Sequence, residues 1–294
     1  MNSRTRDGRL VPTYDGQGRK LRFLYEKPLG QQLLKLLIRP GISRAAGWLL
    51  STPLSRVAIG SFVRKNDIDL TQYMPEKYAS FDRFFSRKIR PEARPVDMDE
   101  THLIAPADGK ITAVQLGQTG SFRVKGMTYT LESLLRSTAL AERYQSGLLL
   151  IIRLSVDDYH RYCCAAAGYL SKTVRIPGVY HTVSPQGTER VPVYAENTRE
   201  YAVLQTEAFG DMLIMEVGAL LVGRIVNHPG ERQVQRGEEK GYFRFGGSSV
   251  LMLLEPGRVM LDEDILKNSA AGEETIVKMG ERIGQAEKCA GQAL

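Results

Sequence analysis

Three side chains in separate parts of the chain carry the acid, imidazole and hydroxyl that nucleophilic chemistry needs: Asp108, His160 and Ser248. Ser248 follows two glycines in the stretch Gly241-Tyr242-Phe243-Arg244-Phe245-Gly246-Gly247-Ser248-Ser249-Val250-Leu251-Met252. A glycine before a serine leaves its carbonyl unshielded by a Cβ and tolerates a bent peptide, so the hydroxyl stands beside an accessible carbonyl. The plain alternative is a tight turn between two strands, because Gly and Ser dominate turns. Asp108 lies in Ala105-Pro106-Ala107-Asp108-Gly109, a Pro/Gly turn that as a turn needs no further role. His160 lies in Val156-Asp157-Asp158-Tyr159-His160-Arg161-Tyr162-Cys163-Cys164, just past the apolar run 148–154, whereas His102, His181 and His228 sit in plain loop contexts. An acid that orients an imidazole, and an imidazole that takes a serine proton, form a charge-relay set in any chain order. An ordinary serine hydrolase fits poorly: Gly-x-Ser-x-Gly is missing, and Ser248 opens into a strand and not a helix.

The elements that must position these groups are mostly strands. Short alternating runs with glycine punctuation predict strands at 109–114, 121–129, 147–155, 173–176, 201–206, 212–217, 220–226 and 249–254, with one helix at 131–143. Strands at this density without alternating helices argue against a doubly wound parallel sheet and for an α+β fold with a β-rich, sandwich or barrel-like core. Before that core, residues 1–27 read as an irregular arm. Leu33, Leu34, Leu36, Leu37 and Ile38 then predict a helix from Pro28 that stops at Pro40-Gly41, and a second passes through Arg44, Trp48, Leu49 and Leu50 to end near Pro53. Ser80 caps a further helix whose Phe81, Phe84 and Phe85 share one face, with Pro91 and Pro95 ending it. Helical spacing explains these phenylalanines as core without stacking on nucleic-acid bases.

The charge is uneven. Through Lys65 the chain has thirteen bases against three acids, a net +10, which leaves −3 for the rest of a chain whose total is +7. A basic, leucine-rich end with a tryptophan suits an anionic membrane surface, with Lys and Arg reaching the headgroups. No apolar run approaches the ~18 residues of a membrane span, and the polar, basic first 30 residues do not resemble a signal peptide. Cys163, Cys164 and Cys289 give neither a disulfide framework nor metal-ligand spacing. A reducing compartment and a peripheral position on the cytoplasmic face of a membrane are expected.

Together the pieces resemble the phosphatidylserine decarboxylase proenzymes. The likeness runs from about Phe81 to Glu255 and rests on the order of Phe-Phe-Ser-Arg (84–87) with Ala-Arg-Pro (93–95), Pro-Ala-Asp-Gly (106–109), Asp-Tyr-His-Arg (158–161), Ile-Pro-Gly (176–178), Glu-Asn-Thr-Arg-Glu (196–200), Glu-Val-Gly-Ala (216–219), Val-Gly (222–223) and the run 237–249. The resemblance implies self-cleavage between Gly247 and Ser248 into a large chain 1–247 and a small chain 248–294 that stay associated. It also implies conversion of Ser248 into a pyruvoyl group, so that no external cofactor and no metal are needed. That carbonyl would take the amine of phosphatidylserine and hold electrons as CO2 leaves, giving phosphatidylethanolamine. Asp108, His160 and Ser248 are the catalytic residues this implies, with residues 1–77 as the membrane-docking part and 78–294 as the decarboxylase domain. Nucleic acid is not expected as a partner, and a homodimer is compatible with the reading. Two departures stand out: Ser249 replaces the family's usual Thr, and Cys163 stands where the family carries a second histidine assigned to self-cleavage. Either His160 does both jobs, or the Cys163 thiol contributes, or maturation is slow. The competing readings are a decarboxylase of another amino-acid headgroup or of a soluble amino acid, and a catalytically silent membrane-binding β-protein.

Overall fold

The computed structural model describes residues 2–12, 18–220, 224–244 and 248–287. Ser248–Leu254 is buried along its whole length because it lies inside a sheet covered on both faces. The sheet runs, edge to edge, Arg232–Val234, Gly168–Leu170, Arg199–Thr206, Gly210–Val217, Ser248–Leu254, Leu148–Leu154, Gly109–Gln115, Glu274–Val277, Asn2–Arg4 and Leu10–Pro12, with Val174–Ile176 also paired to Arg199–Thr206. Its ladders are antiparallel except the pairing of Asn2–Arg4 with Glu274–Val277. Alternation along the strands splits the core into two layers. Val250, Met252 and Ile152 belong to one, and Leu251, Leu253 and Ile151 to the other. A three-stranded sheet, Ile225–Asn227, Glu239–Phe243 and Arg161–Cys163, contributes to the first layer, as does another of Val259–Leu261, Arg282–Ala286 and His102–Ile104. This is the expected α+β sandwich; among the described residues no barrel closes, since the large sheet ends in two edges.

Residues read as an irregular arm are ordered in part. Asn2–Arg4 and Leu10–Pro12 join the large sheet, and Gly18–Glu26 forms helix α1, whose Leu21 and Tyr25 are buried. Three-residue strands carry no periodicity of their own, and a partner more than 250 residues away in the chain creates them. Helices α2 (Pro28–Leu37) and α3 (Pro40–Leu50) follow as expected, each with proline in its first turn. Helix α4 spans Val57–Lys65. Leu29, Leu33, Leu36, Trp48, Leu49, Leu54 and Val57 are exposed on this segment. Ser80 accepts a hydrogen bond from the Arg83 N–H and caps α5, Phe81–Phe85, which is shorter than the reading to Pro91. The helix expected at 131–143 is two, α6 (Leu131–Leu135) and α7 (Thr138–Tyr144), because Arg136 turns left-handed at φ 53° and Ser137 caps anew. The single strand expected at 121–129 is a hairpin that turns at Lys125 and Gly126, both at positive φ.

Candidate active site

The strands either side of the Gly-Ser junction do not form a hairpin. Glu239–Phe243 pairs with Arg161–Cys163 and Ile225–Asn227, while Ser248–Leu254 enters the large sheet, so the two strands belong to different sheets. Gly247 and Phe245-Gly246 lie outside the described residues, as do Leu221-Val222-Gly223 of the run expected at 220–226. Ser248 is fully buried, and its Oγ has no hydrogen-bond partner among the described residues. A buried hydroxyl left so costs about 1–3 kcal/mol, which marks a site needing a reason other than stability.

Register fixes what surrounds it. Ser248 pairs with Leu154 on one side, and Val217 pairs with Ser249 on the other, which sets Gly218 beside Ser248. The Gly218 N–H donates to the Thr198 carbonyl at 3.0 Å, and Lys110 pairs with Arg153. One rung across the sheet therefore reads Thr198, Gly218, Ser248, Leu154, Gly109. Gly109 belongs there because a Cβ would lie 2.7 Å from the Arg153 carbonyl oxygen, with φ at 156°.

The loop after Leu148–Leu154 carries His160. Its Nδ1 lies 2.8 Å from the Asp158 carbonyl oxygen, which can only accept, so Nδ1 bears a proton and, whenever the ring is neutral, its basic lone pair is at Nε2. Phe85 packs on the imidazole with ring centroids 4.2 Å apart. The Asp158 carboxylate accepts from Lys110 Nζ and from the Ser155 N–H, both at 2.7 Å. Burial works against its charge, but Lys110 prevails and the carboxyl stays below its ordinary range. The Phe243 N–H donates to the His160 carbonyl at 2.9 Å. Phe243 thus lies beside His160 and Ser248 beside Leu154, at the two ends of one loop.

Asp108 is buried on the turn before Gly109–Gln115 and accepts from Arg94 Nε at 2.8 Å and Nη2 at 2.6 Å, and from the Met279 N–H at 2.9 Å. Lys278 Nζ lies 3.7 Å away. The turn is bound to the histidine's strand through an Ala107–Tyr162 bridge and a Cys163 N–H to Pro106 carbonyl bond of 2.8 Å. Ser248, His160 and Asp108 therefore gather at one end of the sheet. The Asp108 carboxylate holds Arg94, while the Asp158 carbonyl holds the imidazole. Arg94 comes from the Ala-Arg-Pro motif, whose role its local sequence does not disclose. Burial pushes the Cys163 thiol well above its ordinary range, which favours its neutral form.

Sequence reasoning missed a polar layer on the same face of the sheet as Ser248. Glu216 pairs with Val250, so its side chain shares that face at a diagonal position to Ser248. Lys240 Nζ donates to Glu216 Oε1 at 2.7 Å and to Asn227 Oδ1 at 2.9 Å; Asn227 Nδ2 donates to Glu216 and Glu200, each at 3.0 Å; the Tyr162 hydroxyl donates to Asn227 Oδ1 at 3.2 Å. Burial raises the Glu216 carboxyl above its ordinary range, with Lys240 pulling the other way. A bulge between Glu239 and Gly241 interrupts the ladder at Lys240, and bulges re-aim side chains in this manner. The available signal was an acid within the apolar strand Gly210–Val217. Among the described residues no group of three or more His, Cys, Asp or Glu is arranged to hold a metal ion, and no helix is long and apolar enough to cross a membrane.

The family model described as phosphatidylserine decarboxylase matches residues 81–285, and the chain belongs to that family. Among its relatives, phosphatidylserine decarboxylase proenzyme 2 of Clostridium acetobutylicum is 42% identical over 267 residues, covering 90% of this chain and 91% of that protein. The phosphatidylserine decarboxylase proenzyme of Fusobacterium nucleatum is 40% identical over 275 residues, 92% of this chain and 91% of the relative. That of Desulfitobacterium hafniense is 38% identical over 270 residues, with 90% and 91% covered.

Proposed function

We propose that this chain is a self-processing phosphatidylserine decarboxylase whose reactive carbonyl is made from Ser248. Family membership makes it a carboxy-lyase that takes phosphatidylserine to phosphatidylethanolamine and CO2. The observation that carries the processing step is the buried Ser248 hydroxyl, without a partner among the described residues, at the junction after Gly247.

In this reading His160 Nε2 accepts the Ser248 Oγ proton, and Oγ attacks the Gly247 carbonyl carbon. The C–O bond forms, the C–N bond breaks, and the amide becomes an ester with a free amine on residue 248. Loss of the Cα proton of residue 248 then expels the Gly247 carboxylate from Cβ, and water hydrolyses the resulting enamine with release of ammonia. Asp158 fixes the imidazole through its carbonyl, and Lys110 fixes Asp158. Asp108, with Arg94, acts as a positioning residue that secures the turn behind the histidine's strand. The burial and isolation of residue 248 suit a pyruvoyl group, which would supply a carbonyl to take the substrate amine and an electron sink for decarboxylation. The two chains stay together after cleavage because Ser248–Leu254 is laddered on both sides to strands of the large chain, Gly210–Val217 and Leu148–Leu154.

Membrane docking belongs to the helices within residues 1–77. Exposed Leu29, Leu36, Trp48, Leu54 and Val57 stand among the basic residues of this segment, an arrangement suited to a peripheral position on the cytoplasmic face of an anionic membrane. Denaturing electrophoresis tests the processing: the mature protein should separate into two chains, and Ser248→Ala should stay whole and inactive. A whole, active Ser248→Ala chain overturns the proposal, and a wild type that stays whole and inactive returns the silent-protein reading.

A further inference from the structure

We propose that the cavity between α3 and the end of the large sheet is a phosphodiester site for the lipid headgroup, with Ser43 and Arg44 of α3 and Arg224 opposite them as its donors. This rests on the decarboxylase reading and adds which residues hold the substrate. The cavity, about 670 Å³, lies within the size range of small-molecule sites. On α3 it is lined by Pro40, Ser43, Arg44, Gly47 and Trp48, with Ser51 just past the helix end, and these recur at helical spacing and so form one face. Its far wall includes Thr198, the residue on the Ser248 rung two strands away, about 10 Å by strand spacing.

The chemistry of the lining is that of an anion site. Arg44, Arg175, Arg224 and Arg244 all reach it, against Asp82 as the one acid. Asp82 is taken by Arg244, whose Nε lies 2.9 Å from Oδ2, and Arg175 is shared with Glu200 at 3.4 Å. Among the described residues neither Arg44 nor Arg224 is in an ion pair. A second, independent feature is Ser43: it is 7% exposed, lines the cavity, and its hydroxyl has no partner among the described residues. An acceptor such as a phosphate oxygen would satisfy it.

The substrate offers two anions, and the reaction selects between them. The carboxylate loses its charge as CO2 departs, so an arginine on it would stabilise the ground state more than the transition state. The phosphodiester keeps its charge throughout, and binding it anchors the headgroup without opposing the chemistry. Trp48, Pro177 and Ile225 give the cavity apolar walls, and Trp48 leads outward to exposed Leu49 and Leu54, a path for acyl chains. The basic helical segment is thereby part of the substrate site as well as a membrane anchor.

The test uses dihexanoyl-phosphatidylserine below its critical micelle concentration, where membrane docking plays no part. Ser43→Ala and Arg44→Gln should each raise KM about tenfold, the scale of a charge-assisted hydrogen bond, with kcat little changed and self-cleavage intact. Arg44→Lys should recover part of the loss. Gly47→Leu, at a position where a Cβ meets nothing within 4 Å, should also raise KM by filling the cavity without threatening the fold. Calorimetric binding of the same lipid to the uncleaved Ser248→Ala chain should weaken in parallel, and inorganic phosphate should not displace the lipid. Unchanged KM and Kd in the Ser43, Arg44 and Gly47 variants overturn the assignment, as does displacement by inorganic phosphate at equal concentration. A wild type that releases no CO2 would instead sink the decarboxylase reading, and binding to the Ser248→Ala chain would still decide the site.

Discussion

Replacing Lys240 with methionine removes the cation from a pair in which both side chains are buried, with Nζ and Oε1 2.7 Å apart. It leaves Asn227 as the one hydrogen-bond donor to the Glu216 carboxylate among the described residues, with the Glu200 charge nearby, and breaking a buried ion pair from one side costs about 3–5 kcal/mol. The loss should depend on pH in a defined direction. Burial already raises the Glu216 carboxyl above its ordinary value while Lys240 opposes the rise. Removing Lys240 leaves only the Asn227 hydrogen bond against burial and the neighbouring Glu200 charge, so the folded value climbs further above the unfolded one. A group shifted in that direction contributes its full stability below the unfolded value and loses it as pH rises towards the folded one. The slope of that loss is at most about 1.4 kcal/mol per pH unit, and the broken pair itself is worth about 4 kcal/mol. For a chain of this length, 4 kcal/mol corresponds to a fall in Tm of roughly 6 °C. Urea denaturation in the Ser248→Ala background, where one polypeptide unfolds, should show Lys240→Met near wild-type stability at about pH 5 and well below it at about pH 8. Adding Glu216→Gln should restore most of the loss at the higher pH. An equal penalty at both pH values would refute the assignment, because lost packing around the lysine stem does not titrate.

Other outcomes follow from neighbouring groups. Against the desolvation of burial, Arg153 and Lys125 hold the Glu274 carboxyl at about 2, so this contact stabilises the fold above the unfolded carboxylate value and is lost as pH falls through the folded one. Glu274→Gln should cost about 3 kcal/mol at neutral pH, with the difference from wild type vanishing towards pH 2 in acid denaturation. Because burial favours the neutral thiol, Cys163→Ala should cleave at a rate close to wild type in a time course on denaturing gels, whereas His160→Gln should stay whole; a stalled Cys163→Ala would assign the thiol a part. Binding to anionic vesicles in a flotation assay should fall as salt rises and drop on joint Trp48→Ser and Leu54→Ser substitution, and unchanged binding would remove the helices as the docking surface.

Local pattern made much of the architecture legible. Residues 109–114, 212–217 and 249–254 alternate or run apolar between glycine and proline punctuation, and strands lie there. Pro28 and Ser80 announce helix starts in the same local way, and Pro40, read as the stop of one helix, also opens the next. Pairing was not legible. Nothing near Asn2 or Leu10 states that they add to a sheet edge formed by Glu274–Val277, and nothing near Gly247 states that the strands on either side of it belong to different sheets. At the candidate site, residue type made Asp108, His160 and Ser248 compatible with a charge-relay set, and the order of motifs shared with the family, not residue type, singled them out. Their supports were hidden because each comes from a distant segment: Arg94 on Asp108, Lys110 on Asp158, Lys240 on Glu216. Asp158 was passed over because its backbone carbonyl, which every residue has, is what orients the imidazole.

The central claim is that the peptide before Ser248 breaks itself and leaves a carbonyl in place of the serine. Mass spectrometry of the carboxy-terminal fragment from purified, active protein tests it most directly. The fragment should begin at position 248, resist Edman degradation, and weigh less by one ammonia than the same fragment with an amino-terminal serine. Active protein consisting of one uncleaved chain, or a fragment that begins with an intact serine, would contradict it.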